Sequence, residues 1–252
     1  MKSPYLLGFI RHCPELPSAP PLLTELTTVG EHSVIWCQSP MEIFSTKQDF
    51  LLAMLQWLEQ IRQLNLTVLP IQSGVSVSNE VHLVELLQAY KKELDMGFDK
   101  VEGCSEYCLT ITQRNQEVTH LSYASLKDNV QSGKEYLDRL RVWHQQTDRE
   151  VMQAREVIAN FSLRLAPWMK ESWSEIPQTQ GAEINLGFLV PNTGQQEFVH
   201  ELKLLLDEAN ITDEWTGPWL PFHFSSFTLK PESFLIHQAL NWGKGGLPHD
   251  RG

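Results

Sequence analysis

The chain has 252 residues, of which 42% are hydrophobic and 20% are charged, and its formal net charge is −11. This length suits one or two domains, and the composition excludes a disordered chain, a coiled-coil rod and a collagen-like chain. An acidic surface repels phosphate backbones and anionic lipid headgroups, so nucleic-acid binding and polybasic membrane docking are disfavoured. The sequence contains no apolar run of the roughly 18 residues that a membrane span requires.

The N-terminal segment and the cysteines favour a cytoplasmic protein. The apolar segment that follows Met1 is too short for a signal peptide, and no cleavage site of small residues follows it. Without secretion, we expect all of the cysteines to be reduced thiols. They are Cys13, Cys37, Cys104 and Cys108.

Residues 1–125 are predicted to form an N-terminal α+β domain that opens with two strands, at 5–10 and 33–37, separated by a proline-rich loop. A helix follows, with Thr46 as its cap and Asp49 three residues later, which is a variant of the capping box. Apolar residues then recur at the spacing of one helical face. They are Leu51, Met54, Leu55, Leu58 and Ile61.

The same domain continues with a strand at 66–71, a turn at 74–79 and a helix at 80–94, with Gly97 just beyond the end of that helix. From residue 106 the pattern alternates as in a half-buried strand. The residues expected to face the core are Tyr107, Leu109 and Ile111. The order β-β-α-β-α-β fits one sheet under two helices.

A long helix is predicted from residue 133 to Pro167, about 50 Å at 1.5 Å per residue. Its apolar positions are alternately three and four apart, and the polar residues His144 and Thr147 leave room for a break or kink. The stripe contains Leu137, Leu140, His144, Thr147, Val151, Ala154, Ile158, Phe161 and Leu165. It serves either to join the two α+β units within the chain or to receive a partner helix, including one from a second copy.

Residues 126–229, which include this helix, are predicted to form a smaller C-terminal α+β domain, and 230–252 a tail. Alternation from Ile184 to Val190 indicates a strand, and Thr193 with Gln196 indicates a capping box for the next helix. That helix is expected to bury Phe198, Leu202, Leu205, Leu206 and Ala209. A short strand is expected at 211–215.

The sequence shows no strong catalytic or metal-binding pattern. Cys104 and Cys108 are four residues apart but lack a second pair at zinc-ligand spacing. His144 and His223 are more simply solvated or packed residues than catalytic bases, although His223 lies among aromatic residues. No nucleophile elbow, phosphate loop or dinucleotide fingerprint occurs. We therefore predict no catalytic residue, no cofactor and no metal site.

The densest signal is the aromatic segment, residues 215–224, which reads Trp-Thr-Gly-Pro-Trp-Leu-Pro-Phe-His-Phe. Gly217-Pro218 indicates a turn, and Pro221 keeps the chain extended. Burying one large apolar side chain contributes roughly 1.5–3 kcal/mol, so the rings are costly to leave in water. The segment therefore either closes the core as a strand or forms an adhesive surface, and its composition favours the first.

The aromatic segment resembles the C-terminal signature of the gas vesicle protein F/L family, which typically reads Thr-Gly-Pro-Trp-Pro-Pro-Tyr-Ser-Phe. The matching residues are Thr216, Gly217, Pro218, Trp219, Pro221 and Phe224, whereas Leu220, Phe222 and His223 depart from it. Similar segments occur in family order over about residues 5–224. They are Tyr5 to Ile10, Val68-Leu69-Pro70 with Gly74, Glu102 to Tyr107, Ser132 to Leu137 and Gly187 to Val190.

The resemblance implies two modified ferredoxin-like units, each an antiparallel sheet with helices on one face, linked by a long helical segment. It also implies an accessory, chaperone-like role in building gas vesicles, the hollow protein shells that give buoyancy. The expected partners are the small hydrophobic shell protein and other accessory proteins, and the expected location is the gas vesicle or the cytoplasm.

The resemblance brings no enzymatic activity and leaves open whether the protein is retained in the vesicle. It suggests a partner-binding role for the aromatic segment, namely for Trp215, Thr216, Gly217, Pro218, Trp219, Pro221, Phe222 and Phe224. The alternative hypothesis is a small-molecule enzyme with a cleft between its two α+β units.

Overall fold

The computed structural model describes residues 4–11, 24–38, 46–64, 66–71, 75–112, 126, 130, 132–175, 183–211, 215–225 and 237–238. The chain divides into two compact units. The first unit contains residues 1–103 and 219–252, and the second contains residues 104–218. Each unit combines helices with antiparallel strands, so the predicted α+β class is confirmed.

The strands in chain order are β1 (Pro4–Arg11), β2 (Thr24–Val29), β3 (His32–Gln38), β4 (Val68–Pro70), β5 (Val75–Ser76), β6 (Cys104–Ile111), β7 (Glu171–Glu175), β8 (Ile184–Pro191), β9 (Trp215–Trp219) and β10 (His237–Gln238). The helices are α1 (Lys47–Gln63), α2 (Glu80–Ala89), α3 (Lys91–Val101), α4 (Gly133–Leu165) and α5 (Gln195–Glu208).

The sheet of the first unit has the order β10-β5-β1-β3-β2, and β4 also pairs with β1. Its strands pair antiparallel, and Gly30 at φ 62° allows the tight turn between β2 and β3. The predicted strands at 5–10 and 33–37 correspond to β1 and β3. We did not predict β2, whose six residues are half-buried or exposed and lack the apolar run that identified β1.

Helix α1 begins as the sequence predicts. The Thr46 hydroxyl accepts a hydrogen bond from the Asp49 amide at 3.1 Å and donates one to the Asp49 carboxylate at 2.7 Å. This reciprocal cap satisfies a backbone donor of the first turn. The helix packs its apolar face into the main cluster of the first unit. The buried members are Tyr5, Leu7, Ile10, Ile35, Cys37, Phe50, Met54, Trp57, Leu58, Ile61, Val68 and Leu220.

Helices cover both faces of this sheet, which differs from the predicted arrangement of helices on one face. Ile35 and Cys37 of β3 belong to the α1 cluster. His32 lies three residues before Ile35 and so points to the opposite face, where its ring stacks on Phe98 of α3. Burial of β1 and β3 on both faces explains their nearly continuous hydrophobic sequences.

The helix predicted at 80–94 is two helices, α2 and α3, with Tyr90 between them. The prediction that Gly97 lies beyond the helix end is wrong, because Leu94, Phe98 and Val101 extend the buried face of α3. A Cβ on Gly97 would lie 3.0 Å from the Leu69 side chain, so glycine allows α3 to approach β4 closely. The turn predicted at 74–79 contains β5 and the Asn79 cap of α2.

The second unit is a sheet of order β7-β8-β6-β9 with α4 and α5 packed against it. The alternation predicted for β6 is confirmed, since Tyr107, Leu109 and Ile111 are buried. They join a core cluster formed by side chains from α4, β8 and α5. Its other buried members are Ala154, Phe161, Leu165, Ile184, Leu186, Phe188, Val190, Phe198, Leu202, Leu205 and Leu206.

Helix α4 is continuous over its 33 residues, so the break left open near His144 and Thr147 is not observed. The Thr147 hydroxyl instead donates a hydrogen bond to the Trp143 carbonyl at 2.9 Å, which satisfies this polar side chain within the helix. The buried stripe residues are Ala154, Phe161 and Leu165, all in the C-terminal half, whereas Leu137 is 62% exposed.

Three predictions for the last third were wrong in detail. The capping box of Thr193 is absent from the described residues, because Asn192–Gly194 forms a short 3-10 turn and α5 starts at Gln195 without a side-chain cap. Ala209 is exposed. The last strand of the second unit, β9, begins at Trp215 rather than at residue 211.

The predicted domain limits, 1–125 and 126–229 with a tail from 230, remain a prediction. The compact units differ from them in two respects. Strand β6 pairs with β8 and groups with residues 104–218, and the chain from Trp219 onwards groups with the first unit. The proline-rich loop and most of the predicted tail lie outside the described residues. Within the tail, His237–Gln238 form β10 and pair with β5.

Strand β7, which we did not predict, places an indole against the backbone of β8. Trp173 pairs with Gly187 across the two strands, and a Cβ on Gly187 would collide with the Trp173 indole nitrogen. Glycine is therefore required at position 187 for the Trp173 ring to lie across the sheet.

We expect Gly187→Ala to lower the free energy of unfolding by about 1–3 kcal/mol, the usual cost of overpacking. Urea denaturation followed by circular dichroism measures the change. The control is Gly133→Ala at the start of α4, where an added Cβ meets nothing within 4 Å. Equal stability of the two variants would contradict the packing role of Gly187.

Candidate functional site

The aromatic segment is divided between the two units. Residues 215–218 group with the second unit, and the chain enters the first unit at Trp219. Strand β9 lies beside β6 at one edge of the second sheet. The ring before Gly217 therefore belongs to the second unit, and the rings from Trp219 onwards belong to the first.

Glycine is the residue that fits at position 217. Its φ of 135° is unfavourable for any side chain, and a Cβ would lie 2.8 Å from both the Glu106 carbonyl oxygen and Cδ1 of Tyr107. The following peptide bond, Gly217–Pro218, is cis. The backbone of β9 thus approaches β6 more closely than any other residue type would permit.

Trp215 anchors the start of the segment. Its indole is half-buried against the core of the second unit, with its centroid 5.8 Å from the Tyr107 ring. Tyr107 in turn lies 5.1 Å from the Phe198 ring of α5, centroid to centroid. Trp215 is therefore a packing residue of this core.

The end of the segment closes the core of the first unit. Leu220 and Phe224 are only 4% and 3% exposed, and Phe222 is half-buried against the α1 cluster. Pro221 is also buried. Lys100 Nζ lies 5.7 Å from the Phe224 ring centroid, which allows a cation–π contact.

The residue after the segment adds a polar tie to the same unit. The Ser225 hydroxyl is buried and lies within hydrogen-bonding distance of the Phe222 carbonyl, at 3.2 Å, and of the Pro70 carbonyl, at 3.5 Å. The Ser225 amide donates to the Pro221 carbonyl at 2.9 Å. This turn holds the buried part of the segment against β4.

Trp219 is the outward aromatic residue of the segment. Its side chain is 49% exposed, between exposed Pro218 and buried Leu220. Thr216 and His223 are also exposed. The sequence allowed two interpretations of the segment, a strand that closes the core and an adhesive surface. The first describes Trp215, Phe222 and Phe224, which pack against the cores of the two units. The second applies to Trp219, which presents an apolar surface to solvent.

Neither Cys37 nor Cys108 is an activated nucleophile. Burial raises the pKa of Cys37 to about 12. Burial also raises the pKa of Cys108, and the neighbouring Glu106 carboxylate, which accepts a hydrogen bond from the thiol at 3.4 Å, raises it further. Both thiols are therefore protonated near neutral pH, and Cys108 can serve as a metal ligand only after losing its proton.

The remaining candidates from the sequence are two cysteines and a histidine. Cys104 is buried, and Cys13 lies outside the described residues. His144 is exposed on α4, with its ring 5.0 Å from that of Trp143. The residue that sequence reasoning did not single out is Glu106, which is 1% exposed although it is a carboxylate on a strand.

One family model matches most of the chain. The family model described as gas vesicle synthesis protein GvpL/GvpF matches residues 19–226. A search of the curated proteins returned no significant match. None of the helices in the described ranges is long and apolar enough to cross a bilayer.

Two solved structures share the fold. The crystal structure of the gas vesicle protein GvpF from Anabaena sp. PCC7120 superposes with a TM-score of 0.69 at 20% sequence identity, covering 91% of this chain and 98% of that one. The GvpF structure from Microcystis aeruginosa gives a TM-score of 0.64 at 17% identity, covering 90% of this chain and 100% of that one.

We expect Gly217→Ala to lower the free energy of unfolding by about 2 kcal/mol or more, because backbone strain and a clash with β6 add. The control is Gly103→Ala, where φ is also positive, at 66°, but an added Cβ meets nothing within 4 Å. Chemical denaturation measures both variants. If Gly103→Ala were equally destabilising, the close approach to β6 would carry no cost of its own.

Proposed function

The chain belongs to the gas vesicle GvpL/GvpF family, and from this premise we propose that it is an assembly factor that binds the small hydrophobic shell protein. Family membership itself implies a role in gas vesicle formation. This is a family of gas vesicle structural or assembly proteins rather than a known enzyme family.

The observation that carries the proposal is the exposure of Trp219. The residues on either side are fixed, because Gly217 holds the backbone against β6 and Leu220 is buried. An indole that is 49% exposed in such a segment has its backbone already ordered, which lowers the entropic cost of binding. Tryptophan is also among the residue types that contribute most to binding at protein interfaces.

The charge of the protein supports the same function. A monomer with a large apolar face aggregates unless that face is covered. A partner with a net charge of −11 that covers such a face adds mutual repulsion between complexes and so keeps them apart. This behaviour is chaperone-like, and it delivers the shell protein to the growing vesicle that gives buoyancy.

The proposal includes the other accessory proteins of the vesicle as further partners, and a location in the cytoplasm or at the gas vesicle. Retention in the finished particle and transient assistance are separable by mass spectrometry of isolated vesicles before and after a urea wash. A retained component is present before the wash, whereas a transient assembly factor is absent from both samples.

The ferredoxin-like description belongs with this proposal. The second unit supports it, because α4 and α5 pack against one face of the antiparallel strands β6 and β8. The first unit departs from it, because α1 covers the face of the sheet opposite to α3. We therefore propose two modified units, of which the first carries the larger modification.

The enzyme alternative stays a hypothesis that the family assignment does not favour. It requires a cleft between the two α+β units in which His223 acts together with a carboxylate. His223→Ala that leaves vesicle formation and growth unchanged would remove its only named residue.

We expect Trp219→Ala to weaken binding of the purified shell protein by about tenfold or more, as for a central interface tryptophan. Binding is measured by pull-down and by titration against the shell protein held in solution as a fusion. The matched control is Leu52→Ala on α1 of the same unit, because Leu52 is also apolar and is 55% exposed. Equal affinity of the two folded variants would contradict the role of Trp219.

A further inference from the structure

A buried histidine lies beside an ion-pair cluster at one end of the first unit. Arg11 of β1 donates to Asp95 Oδ1 at 2.9 Å and to Asp99 Oδ1 at 2.8 Å, and both carboxylates belong to α3. Glu102 Oε2 lies 3.8 Å from the same guanidinium. His32 Nε2 of β3 lies 3.0 Å from Asp95 Oδ1, the oxygen that Arg11 already contacts.

Phe98 of α3 links the two basic side chains. The His32 ring stacks on the Phe98 ring at 5.7 Å between centroids and 21° between planes. Arg11 Cζ lies 5.3 Å from the centroid of that ring. Phe98 is fully buried together with Leu94 and Val101, so α3 is held to the sheet by an apolar face and, at its border, by ion pairs.

His32 is 1% exposed, so its environment favours the neutral imidazole. Nε2 makes no hydrogen bond of acceptable geometry within the described part of the chain, although the Asp95 oxygen is near. Burial lowers the pKa of His32, the charge of Arg11 lowers it further, and the carboxylate of Asp95 opposes both.

We propose that His32 is an acid-sensitive latch, whose protonation loosens α3 from the sheet of the first unit. A protonated His32 would be a second cation at a carboxylate oxygen that Arg11 already binds, and its own ring is buried away from water. Movement of α3 away from β3 relieves this unfavourable burial of the imidazolium. Asp95 and Phe98 move with the helix, so the imidazolium becomes hydrated. This inference goes beyond the proposed function.

The sign of the pH dependence follows from the lowered pKa. Between the folded-state pKa and the ordinary value of 6.5, the open state binds a proton that the closed state does not. The closed state is therefore fully stable above about pH 6.5 and loses stability as the pH falls from there towards the folded-state pKa. The neighbouring Asp95 remains charged in this window, because Arg11 lowers its pKa.

Other charged groups near His32 modify this balance. Glu31, in the turn before β3, favours protonation. Lys91 on α3 acts on Asp95 and lowers its pKa. On α2, which also packs against β3, the side chains of His82 and Glu85 lie 3.9 Å apart and provide a second titratable pair.

Hydrogen exchange of the full chain tests the latch. Deuterium uptake of peptides from α3 and from α5 is measured at pH 7.5 and 5.5 and corrected for intrinsic exchange rates. We expect α3 of the unmodified protein to open several-fold more at pH 5.5, while α5, in the second unit, does not change. Protection of α3 that is equal at both pH values would overturn the proposal.

Two variants assign the effect to His32. In His32→Gln the acid-induced opening of α3 should be absent, and in the control His82→Gln it should persist. Asp95→Asn removes the carboxylate that favours protonation of His32 in the closed state, and it also removes an ion pair with Arg11. Both changes favour the open state at acid pH, so α3 should open more at pH 5.5 than in the unmodified protein. Persistence of the opening in His32→Gln, or opening in Asp95→Asn that is no greater than in the unmodified protein at pH 5.5, would overturn the proposal.

Discussion

The close approach of β9 to β6 at Gly217 determines how the aromatic segment is arranged. With no side chain at this position, the backbone reaches the carbonyl oxygen of Glu106 and the ring of Tyr107. This backbone position limits where the aromatic side chains on either side of Gly217 can pack. Trp215 packs with Tyr107 in the second unit, and Leu220 and Phe224 fill the core of the first unit. Trp219 is left at the surface, and the proposed interaction with the shell protein depends on that exposure.

The two units use similar elements, and in both of them the inner strands are buried along most of their length. In the second unit α4 and α5 cover the side of the sheet towards which Tyr107, Leu109 and Ile111 point. In the first unit β1 and β3 are buried on both faces, and the charged groups that accompany this burial are placed at the strand ends. Arg11 and His32 are paired residues at that end of the β1–β3 ladder. This placement leaves the middle of the β1–β3 ladder to apolar side chains such as Phe9 and Val34.

Several local features were predictable from the sequence, although the capping box at Thr193 was not correct, and the long-range features were not predictable. The Thr46 cap and the alternation of β6 depend on residues within a few positions of each other, so the pattern contains all the information. The pairing of β6 with β8 places Cys104 opposite Pro191, which is far away in the sequence. No local pattern in β6 specifies β8 as its partner strand. Strand β7 was missed because its glutamates and serines do not resemble a strand, although Trp173 gives it a packing role. The aromatic segment was found by its composition, but composition cannot tell exposed Trp219 from buried Leu220.

The return of the chain from the second unit to the first has a consequence for biosynthesis. Leu220 and Phe224 are buried in the first unit. In the sequence, however, more than a hundred residues of the second unit lie between them and α3, the last helix of the N-terminal part of the first unit. A ribosome releases the chain from its N-terminus, at about 5–20 residues per second. The core of the first unit therefore lacks Leu220 and Phe224 for several seconds during synthesis, until the second unit has been made. The first unit begins to form before the second but cannot complete its core until after it.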